Sequence, residues 1–174
     1  LTIFNRAINK TNFLPHKLIE GDRNQDLKNL DNNFFDCVID TCAYNYLEDF
    51  RAFNYFSKYT LKYILISSSY VDIINKNIDI AGNVSLNEVK IIKNYAFNKN
   101  NLENKLKDYF NDYLIARSVP LISSIDHTGR TLNLIKFLMQ YKKINEVPNL
   151  SIQVESANNF AKRIIESINI SDKI

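Results

Sequence analysis

Two short apolar runs, Phe35–Asp40 (Phe-Asp-Cys-Val-Ile-Asp) and Lys62–Ser67 (Lys-Tyr-Ile-Leu-Ile-Ser), constrain the fold more than any other part of the chain. Both are nearly continuous in apolar residues, as expected of parallel strands buried on both faces. Between them, Glu48–Thr60 places Phe50, Phe53, Phe56 and Tyr59 near one helical face. A strand, a helix and a second strand in that order make a crossover unit, so an α/β fold is expected, with a parallel sheet flanked by helices. The rest of the chain keeps the same rhythm. Leu1–Phe4 and Lys17–Glu20 read as strands, Asp26–Asn33 as a turn or short helix, and Tyr113–Arg117 and Leu150–Val154 as later strands. Thr131–Tyr141 and Asn158–Ile168 read as helices. Residues 72–93 read as a loop region with a short helix at Leu86–Lys93, and a separate helix carries Tyr95 and runs to about Asp112, with Phe97, Leu102, Leu106 and Phe110 inward.

The residues with chemical potential gather after the second apolar run. Ser67, Ser68 and Ser69 close it, and ligands of open α/β sheets bind beyond the carboxyl ends of strands. Serine also satisfies strand-end backbone groups, so the triplet has a structural reading as well. Tyr95 and Lys99 stand one helical turn apart. A phenol titrates near pH 10 unaided, and a neighbouring ammonium favours its ionised form, which makes the pair an acid/base candidate. Ten tyrosines in a lysine-rich chain also produce this spacing by chance.

Composition excludes several alternatives. Three glycines, Gly21, Gly82 and Gly129, do not make a phosphate-cradling loop. Cys37 and Cys42 lack a zinc-type spacing, and His16 and His127 sit in no partner pattern, so no metal site is expected. The net charge of +3 comes from scattered lysines rather than a polybasic arm. No apolar run approaches the roughly 20 residues that span a bilayer, and no signal segment opens the chain, so no membrane association and a cytoplasmic location are expected. The 174 residues suit a single domain.

Taken together, these segments resemble the extended short-chain dehydrogenase/reductase family, in its NAD-dependent epimerase/dehydratase group, over nearly the whole chain. Leu-Thr-Ile-Phe-Asn-Arg resembles that family's second strand, whose end selects the cofactor ribose, and Gly21-Asp22-Arg23 resembles the adenine-side loop after its third. The run from Phe35 to Tyr44 is similar to the fourth strand and the loop on the nicotinamide-ribose side, where the family commonly has Gly in place of Ala43. Ser67–Ser69 resembles the serine-rich end of the fifth strand, and Tyr95 with Lys99 resembles its Tyr-x-x-x-Lys motif. Arg117, Asp126 and Arg130 are spaced as in its substrate-side loop, and 152–161 is similar to a late strand and helix.

The resemblance implies a Rossmann-like NAD(P)-binding domain over residues 1–174, with a reduced substrate-binding part within 118–150. It implies hydride exchange with NAD or NADP, on a sugar nucleotide or similar hydroxyl/keto substrate. Tyr95 would pass the proton, Lys99 would tune Tyr95 and hold the ribose, and Ser68, with Ser69 as its competitor, would orient the substrate oxygen. Asn5, Arg6, Asp22, Arg23, Thr41, Cys42 and Ala43 would bind cofactor, and Arg117 and Arg130 substrate. Arg6 would suit a 2′-phosphate. Solvated-turn roles for Asn5, Arg6 and Asp22, and surface ion pairs for Arg117 and Arg130, are the structural alternatives.

The family's first strand, Gly-rich turn and first helix precede the stretch that resembles Leu1, so an N-terminally truncated fold is expected. The missing strand is central in the order 3-2-1-4-5-6, so its loss either splits the sheet or pairs the strands on either side of it. A split sheet exposes strand edges, and self-association, including a homo-oligomer, is expected. The alternative function is that of a non-catalytic, RNA-binding or regulatory relative of the family.

Overall fold

A computed structural model describes residues 1–6, 17–77, 85–126, 129–141 and 153–168. The chain divides into two compact units, Leu1–Ala116 and Arg117–Ile174.

The first unit contains β1 (Thr2–Asn5), β2 (Lys17–Glu20), β3 (Phe35–Asp40), α1 (Tyr46–Tyr59), β4 (Thr60–Ser68), α2 (Val71–Asn75) and α3 (Leu86–Leu106), and the unit boundary falls inside β5 (Tyr113–Ser118). The fold class is α/β, with parallel sheets flanked by helices, as the apolar runs require. β1 pairs in parallel with β2, Phe4 opposite Ile19, and β3 pairs in parallel with β4, Val38 opposite Tyr63. The strands form separate sheets, in the orders β1-β2 and β3-β4-β5. A split sheet was one of the two arrangements expected. It leaves β4 as the central strand, with Tyr63, Ile64 and Leu65 fully buried, while Ile39 of β3 stays 41% exposed. The expectation that Phe35–Asp40 is buried on both faces is therefore corrected: Asp36 and Ile39 are exposed and Asp40 is its one buried residue.

The core of this unit joins Ala43, Phe53, Tyr63, Leu65, Leu102, Leu106 and Phe110. Tyr63 and Phe110 stack with ring centroids 4.2 Å apart, and Phe53 meets Tyr63 edge-on at 5.4 Å. Such pairs contribute about 0.5–1.5 kcal/mol beyond their buried area.

Helix α3 corrects three expectations. It is one helix of 21 residues rather than two segments. Ser85 accepts from the Glu88 N–H while the Glu88 carboxylate accepts from the Ser85 N–H, a capping box that nucleates the helix well before Tyr95. The helix ends at Leu106, short of Asp112. Its inward face is Ala96, Lys99, Leu102, Glu103 and Leu106, and Phe97 is left 47% exposed. An apolar-stripe reading misses this face because two of its members are charged.

The second unit contains β6 (Leu121–Ile122), α4 (Arg130–Tyr141), β7 (Glu155–Ser156) and α5 (Ala157–Ile168), with β6 and β7 parallel. The strand expected at Leu150–Val154 falls partly outside the described residues, and the strand described there begins at Glu155. Among the described residues, no helix is long and apolar enough to cross a membrane.

Gly21 follows β2 and packs tightly: a Cβ there would lie 2.7 Å from Phe4 Cε2 and 2.8 Å from Asp26 Cβ. Gly21→Ala is expected to destabilise by about 1–3 kcal/mol, the usual cost of overpacking. Thermal melting followed by circular dichroism checks this: a Tm lowered by several degrees is expected, and an unchanged Tm would show that Phe4 moves aside at no cost.

Candidate functional site

The carboxyl ends of β3 and β4, with the middle of α3, form the candidate site. The polar groups below it are set first by Asp40, the last residue of β3. Its two carboxylate oxygens accept from Arg23 Nη1 at 2.7 Å and Nη2 at 2.8 Å, a forked pair that fixes the guanidinium plane. Arg23 Nε stands 2.9 Å from Asp49 Oδ1, in the first turns of α1. Tyr63, opposite Val38 on β4, donates its hydroxyl to Asp40 Oδ2. One guanidinium thus serves two buried carboxylates.

The two carboxylates titrate in opposite directions. Burial, the largest influence on Asp40, pushes its pKa up, but the Arg23 charge and hydrogen bonds from Arg23, Tyr63 and the Cys42 N–H outweigh it and hold Asp40 below the usual carboxylate range. Asp49 is held above that range by burial, which the Arg23 charge and the Asn45 N–H only partly offset. Burial opposes the charge on Arg23 as well, yet Asp40 and Asp49 together keep its pKa above the ordinary value. Tyr63 is pushed well above its usual value by burial and the Asp40 charge, so it stays a protonated donor.

The same carboxylates pin the loop from Thr41 to Asn45. Asp40 Oδ1 accepts from the Cys42 N–H at 2.9 Å, and Asp49 Oδ2 accepts from the Asn45 N–H at 2.9 Å. Between them Ala43 is fully buried in the core, and Tyr44 turns outward, 54% exposed.

Lys99 lies beneath Tyr44. The residue is 2% exposed, its Nζ donates to the Ile66 carbonyl of β4 at 2.8 Å, and it stands 4.8 Å from the Tyr44 ring centroid and 5.9 Å from that of Tyr95. Burial lowers the Lys99 pKa, an effect that the more distant charges of Asp40 and Asp49 counter only in part. Tyr95 is half-buried between two rings, with Tyr44 at 6.3 Å and Tyr70 edge-on at 6.2 Å. Ser68 is buried and its hydroxyl accepts from the Tyr70 N–H at 3.3 Å, whereas Ser67 donates to Glu103 Oε1 at 2.6 Å. Ser69 is half-buried at the end of the strand.

The structure therefore gathers Lys99, Tyr95 and the Ser68 end of β4, with Thr41, Cys42 and Ala43 in the adjoining loop. Of these, Ala43 presents its side chain to the core, while Thr41 and Cys42 are exposed. Asn5 and Arg6 are exposed at the end of β1. Asp22 shapes its own turn, its Oδ1 accepting from the Asn24 N–H at 2.8 Å. Arg23 spends its guanidinium on Asp40 and Asp49. In the second unit Arg117 is exposed on β5, and the side chain of Arg130, like His16 and His127, lies outside the described residues. That unit also holds an open cleft of about 340 Å³ lined by Ile122, Ser123, Ser124, Thr131, Ser156 and Asn158. The Asp126 carboxylate accepts from the Thr131 N–H there at 2.7 Å and caps α4.

Sequence reasoning missed Asp40, Asp49, Tyr63, Tyr44 and Glu103. An acid ending an apolar strand was the available signal for Asp40, and acids in the first turns of a helix the signal for Asp49. The pairing through Arg23 had no local signal.

Arg23→Gln is expected to cost about 3–5 kcal/mol at pH 7, because it leaves two buried carboxylates without a counter-charge. Its pH dependence follows from linkage. In the native protein Asp40 contributes stability that is present above its unfolded pKa and lost as pH falls through its lowered folded value, while the raised Asp49 opposes stability above its folded value. Without Arg23 both folded values rise, so the variant gains stability more steeply than the native protein between pH 7 and pH 5. Urea unfolding at the two pH values checks this, and a variant that tracks the native protein at both would contradict it.

No family model matches the chain, and a search of curated proteins finds no match to it.

Proposed function

We propose that the chain is an NAD(P)-dependent oxidoreductase domain of epimerase/dehydratase type, acting on a sugar nucleotide or similar hydroxyl/keto substrate. One observation carries this reading: a buried ammonium, Lys99, one helical turn from Tyr95 at the carboxyl end of a parallel strand, with three donors and, among the described residues, one hydrogen bond, to the Ile66 carbonyl. Desolvating an ammonium costs several kcal/mol, and cation–π contacts return about 0.5–2 kcal/mol. An oxygen-rich ligand with neighbouring hydroxyls, such as a ribose, supplies the acceptors that Lys99 lacks among the described residues.

The nicotinamide cofactor supplies hydride acceptance and donation when bound. The chain's own groups do the rest. Lys99 holds hydroxyls and keeps positive charge beside the Tyr95 phenol, favouring its ionised form. Tyr95 passes a proton to or from the substrate oxygen, and Ser68, or Ser69 beside it, orients that oxygen. Exposed Arg6 suits a 2′-phosphate, which favours NADP.

A second reading, a non-catalytic RNA-binding protein, draws on the exposed rings of Tyr44 and Tyr70, since bases stack on such surfaces.

Titration with NADPH and NADH, followed by nicotinamide fluorescence, tests the first reading. Saturable binding is expected, with Lys99→Ala weakening it tenfold or more, since a hydrogen bond from a charged group contributes about 1.5–3 kcal/mol. No binding at millimolar cofactor by a folded protein would sink it. Retention of single-stranded RNA that fades with added salt would favour the second.

A further inference from the structure

Lys99 is among the most enclosed side chains of the first unit, yet the residue above it is half in solvent. The Ile66 carbonyl of β4 and the Tyr95 ring lie against its ammonium. The ring of Tyr44 is the nearer of its two aromatic contacts. Tyr44 belongs to a loop of five residues rather than to a helix or strand, so its position needs another cause.

The cause is on both sides of it. Cys42 and Asn45 each give their N–H to a carboxylate, the first to Asp40 and the second to Asp49, and both carboxylates share the Arg23 guanidinium. Ala43 is seated in the core between these two anchors. A chain fixed at Cys42, Ala43 and Asn45 leaves Tyr44 little freedom in its backbone, and its ring is carried over Lys99 as a result.

We propose that Tyr44 is a positioning residue of the site, closing over Lys99 and governing its contact with solvent and ligand, and that Arg23 holds Tyr44 there through Asp40 and Asp49. The proposal rests on the reading of Lys99 as a ligand-binding cation, but it concerns the protein's own geometry and is testable without a cofactor. It gives Arg23 a role in the site while its guanidinium stays inside the protein. The Tyr44 hydroxyl is not required, only its ring, because the contact that covers Lys99 is with the ring face.

Acetylation of lysines by an amine-selective ester, read peptide by peptide by mass spectrometry over a range of pH, separates access from protonation. Access sets the plateau rate at high pH, and protonation sets the midpoint. In the native protein Lys99 is expected to plateau at least tenfold below exposed Lys76 and Lys105, with its own midpoint below the ordinary lysine value. Tyr44→Ala is expected to raise the Lys99 plateau about tenfold and to move its midpoint upward, while Tyr44→Phe keeps both native values. Arg23→Gln is expected to raise the Lys99 plateau in the direction of Tyr44→Ala, with the plateaus of Lys76 and Lys105 unchanged; the plateau is the readout for this variant, because loss of the Arg23 charge by itself raises the Lys99 midpoint. Should Arg23→Gln fail to fold, Arg23→Lys, which keeps a charge but cannot make the forked pair with Asp40 and the contact with Asp49 at once, takes its place. A Lys99 plateau and midpoint unmoved in folded Tyr44→Ala would overturn the role of Tyr44, and movement in Tyr44→Ala but not in the folded clamp variant would overturn the role of Arg23. Failure of NADPH and NADH to bind would remove the oxidoreductase reading and leave these outcomes as they are.

Discussion

The Arg23 guanidinium carries more of the first unit's organisation than any other polar group, because it works where backbone hydrogen bonding stops. The β1-β2 and β3-β4-β5 sheets share no ladder among the described residues, so among these residues no strand pairing joins one to the other. Arg23 lies three residues after the end of β2, and its forked pair with Asp40 reaches the last residue of β3. Through Asp49 it also reaches the start of α1. A buried ion pair of this kind is weak evidence for net stability, since desolvation cancels much of its attraction. Its value lies in specificity. Planar, two-pronged geometry accepts one relative arrangement of the turn after β2, the end of β3 and the start of α1, and a hydrophobic substitute would accept many.

Helix α3 makes a similar trade. Lys99 and Glu103 take two of the five positions of its inward face. Each binds the end of β4, Lys99 at the Ile66 carbonyl and Glu103 at the Ser67 hydroxyl. The cost of burying these groups falls on the contact between α3 and β4, and the return is a fixed register: Tyr95, one turn before Lys99, is held beside the strand end that carries Ser68. Leu102 and Leu106 provide the apolar burial that the charged positions do not. A helix optimised for packing alone would place leucine at position 99, and would then have no reason to bring an ammonium under two tyrosine rings.

Much of this arrangement was legible in the sequence, for identifiable reasons. Lys17–Glu20 and Phe35–Asp40 are strands to the residue, because each is a compact run bounded by polar or turn residues. The spacing of Tyr95 and Lys99 places them on a common face of the helix, and the serines lie at the strand end. Residues in the same element are related by its period, and that relation is local. What was not legible is non-local. Arg23 and Asp40 are 17 positions apart, and Asp49 lies further still, so no period relates them. The inward turn of Lys99 and Glu103 escaped for a different reason: hydropathy assigns a charged residue to solvent, and Phe97 was given their place. The Ser85 and Glu88 capping box was in plain view, and reading it would have joined the two halves of α3.

β3 shows where composition and position disagree. Its sequence is that of a strand meant for burial on both sides, and only one of its edges is paired among the described residues. Phe34, just before it, is 59% exposed, and Ile39 within it is largely accessible. Apolar area left in water forgoes about 25 cal/mol per Å², and an open edge adds unpaired N–H and C=O groups that can template another strand. Natural edges are usually blunted by charge, proline or a bulge, and of these β3 has only Asp36 and the inward-turned Asp40. Asp40 is already committed to Arg23 and Tyr63, so it does not protect the edge. The clamp therefore fixes the geometry at the carboxyl end of β3 without satisfying the strand itself. The two demands on that strand, precise placement of its last residue and burial of its apolar ones, are met by different parts of the structure and to different degrees.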